Sequence, residues 1–107
     1  MNRSQLRGNV QKVVDQVVAL AHPLRIILFG SATGGIVDAD SDLDFLVIVS
    51  ENEQTEDVTD RLNTRVRNRP MPCDFMVVSP AVLERHKGNP GLIYSDILSH
   101  GREVYAA

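Results

Sequence analysis

The 107-residue chain holds a single cysteine. No internal disulfide can form, and a cysteine-based zinc site has no support. A reducing, cytoplasmic setting is the expectation. Aromatic residues make up only 5%, and Tyr94 and Tyr105 are too few to build a base-stacking platform. No apolar run approaches the roughly 18 residues that span a bilayer. The opening MNRSQLRGNV lacks the apolar stretch and small-residue cleavage site of a signal peptide. No membrane partner and no leader are therefore expected. A net charge of -3 argues against a dedicated nucleic-acid binder. No repeat, low-complexity tract or linker interrupts the chain, so residues 1–107 are expected to form a single domain.

Basic residues are missing where acids are concentrated. The segment from Ile26 to Asp60 contains none of the 11 Lys and Arg residues, while most of the 14 Asp and Glu residues fall inside it. Solvation on a loop is the plain explanation; a cation site is the sharper one.

Residues 4 to 21 carry Leu6, Val10, Val13, Val14, Val17, Val18 and Ala21 at helical spacing. Ser4 can cap this helix, and His22-Pro23 stops it. Two nearly all-apolar runs follow, 24 to 29 (LRIILF) and 43 to 49 (LDFLVIV), with strand character and a turn-rich loop between them. Residues 55 to 68 form a helix with Thr55 as its cap. Glu56, Asp57 and Asp60 lie near its start and Arg65 and Arg67 near its end. Pro70 and Pro72 separate it from a third strand, 73 to 78 (CDFMVV). Ser79-Pro80 opens a helix to about Lys87. Another runs from Leu92 to His100, closed by Gly101, and a last short strand is expected at 102 to 105. The fold class is α/β (α+β), a two-layer sandwich of a small mixed sheet whose helices cover one face.

The chemistry concentrates between Gly30 and Asp44. Strand side chains alternate, so Asp42 and Asp44 project the same way, about 7 Å apart. Leu46 and Ile48 extend that face into apolar territory. Two carboxylates at one end of an apolar sheet raise each other's pKa, and a divalent cation resolves the conflict. Oxygen ligands of this kind suit Mg²⁺ or Mn²⁺. Asp74, at the start of the third strand, joins the cluster if strands two and three are neighbours. Three carboxylates can hold two metals roughly 4 Å apart. Gly30 allows close backbone approach to a phosphate, and Ser31 adds a hydroxyl and an N–H. A Walker loop is excluded, since Ile36 and Val37 stand where Lys and Ser/Thr are required. An EF-hand beginning at Asp38 fails at Leu43 and Val49, where Gly and Glu are needed.

Gly30-Ser31, ten residues, then Asp42-Leu43-Asp44 resembles the signature of the minimal nucleotidyltransferases (MNT) in the DNA polymerase β-like superfamily. The resemblance covers nearly the whole chain and includes Asp74 and the closing HGREVY. It implies a transferase that moves NMP from an NTP, with ATP as the expected substrate and Mg²⁺ as cofactor. By position, Asp42 and Asp44 would bind the metals that hold the triphosphate. Gly30 and Ser31 would cradle its β- and γ-phosphates. Asp74 would bind the second metal and help deprotonate the attacking hydroxyl. Many relatives read Gly-Ser-Arg-Ala-Arg-Gly at this loop; here Ala32 and Gly34 replace both arginines, which points to weaker turnover. The resemblance also implies a partner, a helical HEPN-type toxin neutralised by this protein as antitoxin, in some cases by adding AMP to a tyrosine. A docking module without catalysis, and a sugar or antibiotic nucleotidyltransferase, are the alternatives. A homo-oligomer is compatible with the small size.

Outside this segment, Arg61, Arg65, Arg67 and Arg69 form a basic cluster, read either as a solvated helix face or as a surface for RNA or an acidic partner. Cys73 points away from Asp74 and reads as a core residue. His22, His86 and His100 show no spacing that would activate it as a nucleophile.

Overall fold

The computed structural model describes residues 2–30, 42–86, 88 and 93–107. Helix α1 (Arg3–Ala21) leads into strands β1 (Arg25–Phe29) and β2 (Leu43–Ile48). Helix α2 (Thr55–Arg65), strand β3 (Cys73–Val78), helices α3 (Pro80–His86) and α4 (Ile93–His100) and strand β4 (Arg102–Ala106) follow. The strands form one mixed sheet in the order β3-β2-β1-β4. β1 is antiparallel to β2 and to β4, whereas β2 and β3 run parallel. The parallel pair needs a crossover, and α2 supplies it.

The start of α1 differs from the expected Ser4 cap. Asn2 is the N-cap, and it exchanges hydrogen bonds with Gln5. The Gln5 N–H donates to Asn2 Oδ1 at 2.8 Å and the Asn2 N–H donates to Gln5 Oε1 at 3.0 Å. The reciprocal pair satisfies two donors where Ser4 would satisfy one. The helix stops at His22 as expected, but His22 is left-handed (φ 45°) rather than extended, and its N–H returns to the Val18 carbonyl.

Helix α2 is shorter than residues 55 to 68, and its N-cap is Gln54, without a side-chain cap hydrogen bond, rather than the expected Thr55. Val66 turns to extended backbone and buries its side chain. Arg69 then folds back over the helix end. Its guanidinium donates to the carbonyls of Leu62 (3.1 Å), Asn63 (2.9 Å) and Val66 (3.2 Å) and lies 5.3 Å from the centre of the Phe75 ring. Arg61 donates to the Leu20 carbonyl at the end of α1. Two of the four clustered arginines therefore donate to carbonyls at helix termini, where hydrogen-bond partners run short.

The sheet is apolar on both faces, and this corrects the expectation of one covered face. On one side Val13, Val14 and Val17 of α1 and Val58 and Leu62 of α2 pack against Ile26, Leu28, Phe45, Val47 and Phe75. On the other, Leu83 of α3 and Ile97 of α4 pack against Ile27, Leu46, Ile48 and Val78. The reason is the near-continuous apolar run of β2. A strand with apolar residues at both odd and even positions must be covered twice. Gly101 fits the same packing. A Cβ there would meet the Ile97 carbonyl and the Ile27 side chain, so the glycine lets α4 end close against β1.

Replacing Arg69 by Ala is expected to cost about 1–3 kcal/mol, because a charged donor leaves three carbonyls. Arg65→Ala, on the exposed end of α2, is expected to stay within about 0.5 kcal/mol. Urea unfolding followed by circular dichroism measures both, and equal losses would contradict the capping role.

Candidate active site

β2 and β3 pair in parallel with Leu43 opposite Cys73, Asp44 opposite Asp74 and Phe45 opposite Phe75. The register sets the two carboxylates side by side at the beginnings of adjacent strands. On the other flank Phe29, the last residue of β1, lies opposite Asp44. Beyond the acids, Leu46, Met76, Ile48 and Val78 continue the same face as an apolar cluster. Cys73 and Phe75 turn to the opposite side, into the larger cluster.

Asp44 is partly buried, and its pKa is raised above the usual carboxylate value. Burial is the largest cause, followed by the negative charges of Asp74 and Asp42 and a side-chain hydrogen bond with Asp74. The Asp44 carboxyl is thus held toward its protonated form beside the Asp74 side chain. Asp42 precedes β2, exposed, and acts on Asp44 through its charge. Among the described residues, no three His, Cys, Asp or Glu side chains gather into a ready-made metal cage. The three-carboxylate set of the sequence reading is thus drawn together as one contacting pair with a third charge nearby.

Oxygen donors in that arrangement fit a hard divalent cation that takes further oxygen ligands. Mg²⁺ is commonly bound through one or two carboxylates plus phosphate oxygens and water. A divalent cation there would offset the negative charges of Asp74 and Asp42, which add to burial in raising the Asp44 pKa.

Gly30 closes the site on the β1 side. Its φ is +82°, a region that side chains rarely adopt, and a Cβ there would collide with Asp44 Oδ2. Both constraints require glycine. Ser31 and the loop residues Ala32 to Gly35 lie outside the described residues.

The rest of the acidic segment divides by role. Glu51 accepts a hydrogen bond from the Ala81 N–H at 2.6 Å, which caps α3 together with Ser79. Glu56 and Asp57 occupy the first turn of α2, where the helix dipole favours negative charge. Cys73 is buried, and its surroundings favour the thiol over the nucleophilic thiolate. Burial and the three nearby aspartates push its thiol up to about 11, against the lowering effect of Arg69.

One feature of the site was not read from the sequence. A cleft of about 320 Å³ opens between Phe29–Gly30 and the α4 residues Ile93, Asp96, Ile97 and His100. These four share one helical stripe, spaced i, i+3, i+4 and i+7. That spacing was the available signal.

The pH dependence follows from the raised Asp44 pKa. The folded chain holds this proton to higher pH than the unfolded chain does. The group therefore supports folding at acid pH, and the contribution is lost as pH rises through the raised value. Without divalent cations, Asp44→Asn is expected to melt at a higher temperature than the parent at about pH 7. The gap should close near pH 3, below the ordinary carboxylate range. Thermal scans across pH test this; a lower melting temperature for Asp44→Asn at neutral pH would refute it.

The sequence matches the nucleotidyltransferase domain family over residues 10–104. The fold is similar to that of a crystal structure from Sulfolobus solfataricus, provisionally described as a nucleotidyltransferase. The TM-score is 0.54 and the identity 19%, over 76% of this chain and 73% of that one. No curated protein matches the chain. The family match spans most of the chain, including Gly30, Asp42, Asp44 and Asp74. The chain belongs to the nucleotidyltransferase domain family.

Proposed function

We propose that this protein is a Mg²⁺-dependent minimal nucleotidyltransferase that transfers AMP from ATP to a hydroxyl of a partner protein. The observation that carries the reading is the in-register pairing of Asp44 with Asp74 beside the positive-φ Gly30. Two acids that repel each other at a sheet end are a costly arrangement unless a cation is part of the working state.

In the proposed reaction the acceptor hydroxyl oxygen attacks the α-phosphorus of ATP. The bond from that phosphorus to the α,β-bridging oxygen breaks, and pyrophosphate leaves. Asp74 takes the hydroxyl proton. Asp42 and Asp44 would hold the metal, with Asp74 sharing a second ion. When bound, Mg²⁺ or Mn²⁺ supplies charge neutralisation at the triphosphate and a fixed orientation for it. Gly30 keeps its backbone close to Asp44, so phosphate oxygens can approach without a side chain in the way, and Ser31 would add its N–H and hydroxyl. Most of the rate acceleration comes from positioning and electrostatics.

The acceptor reading rests on the family resemblance, and the absence of arginines at positions 32 and 34 points to weak turnover. We assign the protein as the antitoxin of a HEPN-type toxin, acting in the cytoplasm. Among the described residues no helix is long and apolar enough to cross a membrane.

Transfer of label from α-³²P-ATP with Mg²⁺ into proteins of the source cell is the direct test. A labelled band is expected whose intensity falls roughly 10²-fold or more with Asp44→Asn. Asp44→Asn is also expected to fold at least as stably as the parent, so lost labelling would report chemistry. Absence of label with all four NTPs, alongside capture of a specific partner, would replace transfer by docking.

A further inference from the structure

The cleft beside the carboxylates has a built character that the transfer reaction leaves unused. Its floor is apolar, with Phe29 from β1 and the buried Ile97 from α4. Ile93 stands at its mouth with 47% of its surface exposed, and Ile93 and Leu24 are the exposed large hydrophobic residues among those described. Asp96 and His100 supply the polar groups. They are joined by a 3.1 Å contact between Asp96 Oδ1 and His100 Nδ1, and both side chains remain largely exposed. Gly30 belongs to the cleft and to the active site at once, since it lines the cleft and abuts the Asp44 carboxylate. The cleft and the acids therefore meet at Gly30.

We infer that this cleft is the nucleoside subsite of the transferase, and that Asp96 selects bases with an exocyclic amino group. The inference rests on the nucleotidyltransferase reading and adds to it where the base sits and what chooses it. A volume of about 320 Å³ lies at the lower end of the range for small-molecule sites. It suits a planar base with its sugar. The apolar floor and Ile93 cover the faces of the base, while a carboxylate at the rim accepts from an edge amine. Adenine and cytosine present such a donor, at N6 and N4. Uracil presents a carbonyl oxygen at the matching position, which Asp96 repels. His100 fixes Asp96 from the next turn of the helix, and is a positioning residue.

Nucleosides test this without metal or catalysis. Adenosine and uridine would be titrated into the ¹⁵N-labelled full chain, and inorganic triphosphate with Mg²⁺ in a parallel series. Adenosine is expected to move the amide signals of Gly30, Ile97 and Gly101 and to bind roughly fivefold more tightly than uridine. Asp96→Ala should bring the two nucleosides within about twofold of each other. Ile93→Asp should weaken both by roughly tenfold. Both substitutions fall on exposed positions, and the dispersion of the amide spectrum reports folding directly. Neither should alter triphosphate binding. If triphosphate binds but adenosine leaves the α4 signals unmoved, the subsite is refuted and the transferase reading stands. If adenosine acts on α4 while triphosphate does not bind, the subsite stands and the phosphate site falls. Equal affinities for adenosine and uridine in the parent chain would overturn the role of Asp96.

Discussion

The parallel pairing of β2 with β3 is the constraint on which the site depends. Its register puts Asp44 opposite Asp74, and the hairpin partner β1 brings Phe29 and Gly30 to the other side of Asp44. Neither carboxylate has meaning alone at a strand end. Together, a partly buried Asp44 and an exposed Asp74 raise the Asp44 pKa through burial and like charge, and they create a local demand for positive charge. Every other component of the site is arranged around that demand.

The surrounding fold holds the pair rigidly. Phe45 and Phe75, the residues after Asp44 and the one after Asp74, stack in the larger core with ring centres 5.8 Å apart. Their opposite partners, Leu46 and Met76, belong to the smaller cluster below α3 and α4. A shift of one residue in either strand would turn its acid into the larger cluster and exchange the side chains of the two faces. The cost of burying a carboxylate in the larger cluster therefore favours the acid register. Arg69 adds to this on the β3 side, because it ties the end of α2 to the Phe75 ring and so fixes the crossover that makes the pair parallel.

Much of this was legible from particular residues. The three strong strands follow from apolar runs, and β3 begins and ends where the sequence reading put it. Asp42, Asp44 and Asp74 stand out because acids interrupt otherwise apolar runs. Gly30 is legible because a glycine directly follows a buried strand. Less visible were the ends of helices. Asn2 and Gln5 carry the capping-box spacing, yet Ser4 drew the first reading because it is an equally good cap type. The second covered face was implied by Leu46 and Ile48, since apolar residues at even positions of β2 need cover too. The α4 stripe of Ile93, Asp96, Ile97 and His100 was hidden because only two of its members are apolar and its neighbours on β1 are more than sixty residues away in the chain.

The sequence by itself determined the order of helices and strands, the face on which each acid lies and the need for glycine at position 30. These are local properties, set by side-chain alternation, backbone conformation and cap chemistry. The tertiary structure alone decided that β3 lies beside β2 in parallel register, that Arg61 and Arg69 serve helix ends, and that α4 returns against Phe29 to form a cleft next to the acids. Those outcomes depend on which distant surfaces bury each other, and no local pattern encodes the partner of a strand or the landing place of a helix.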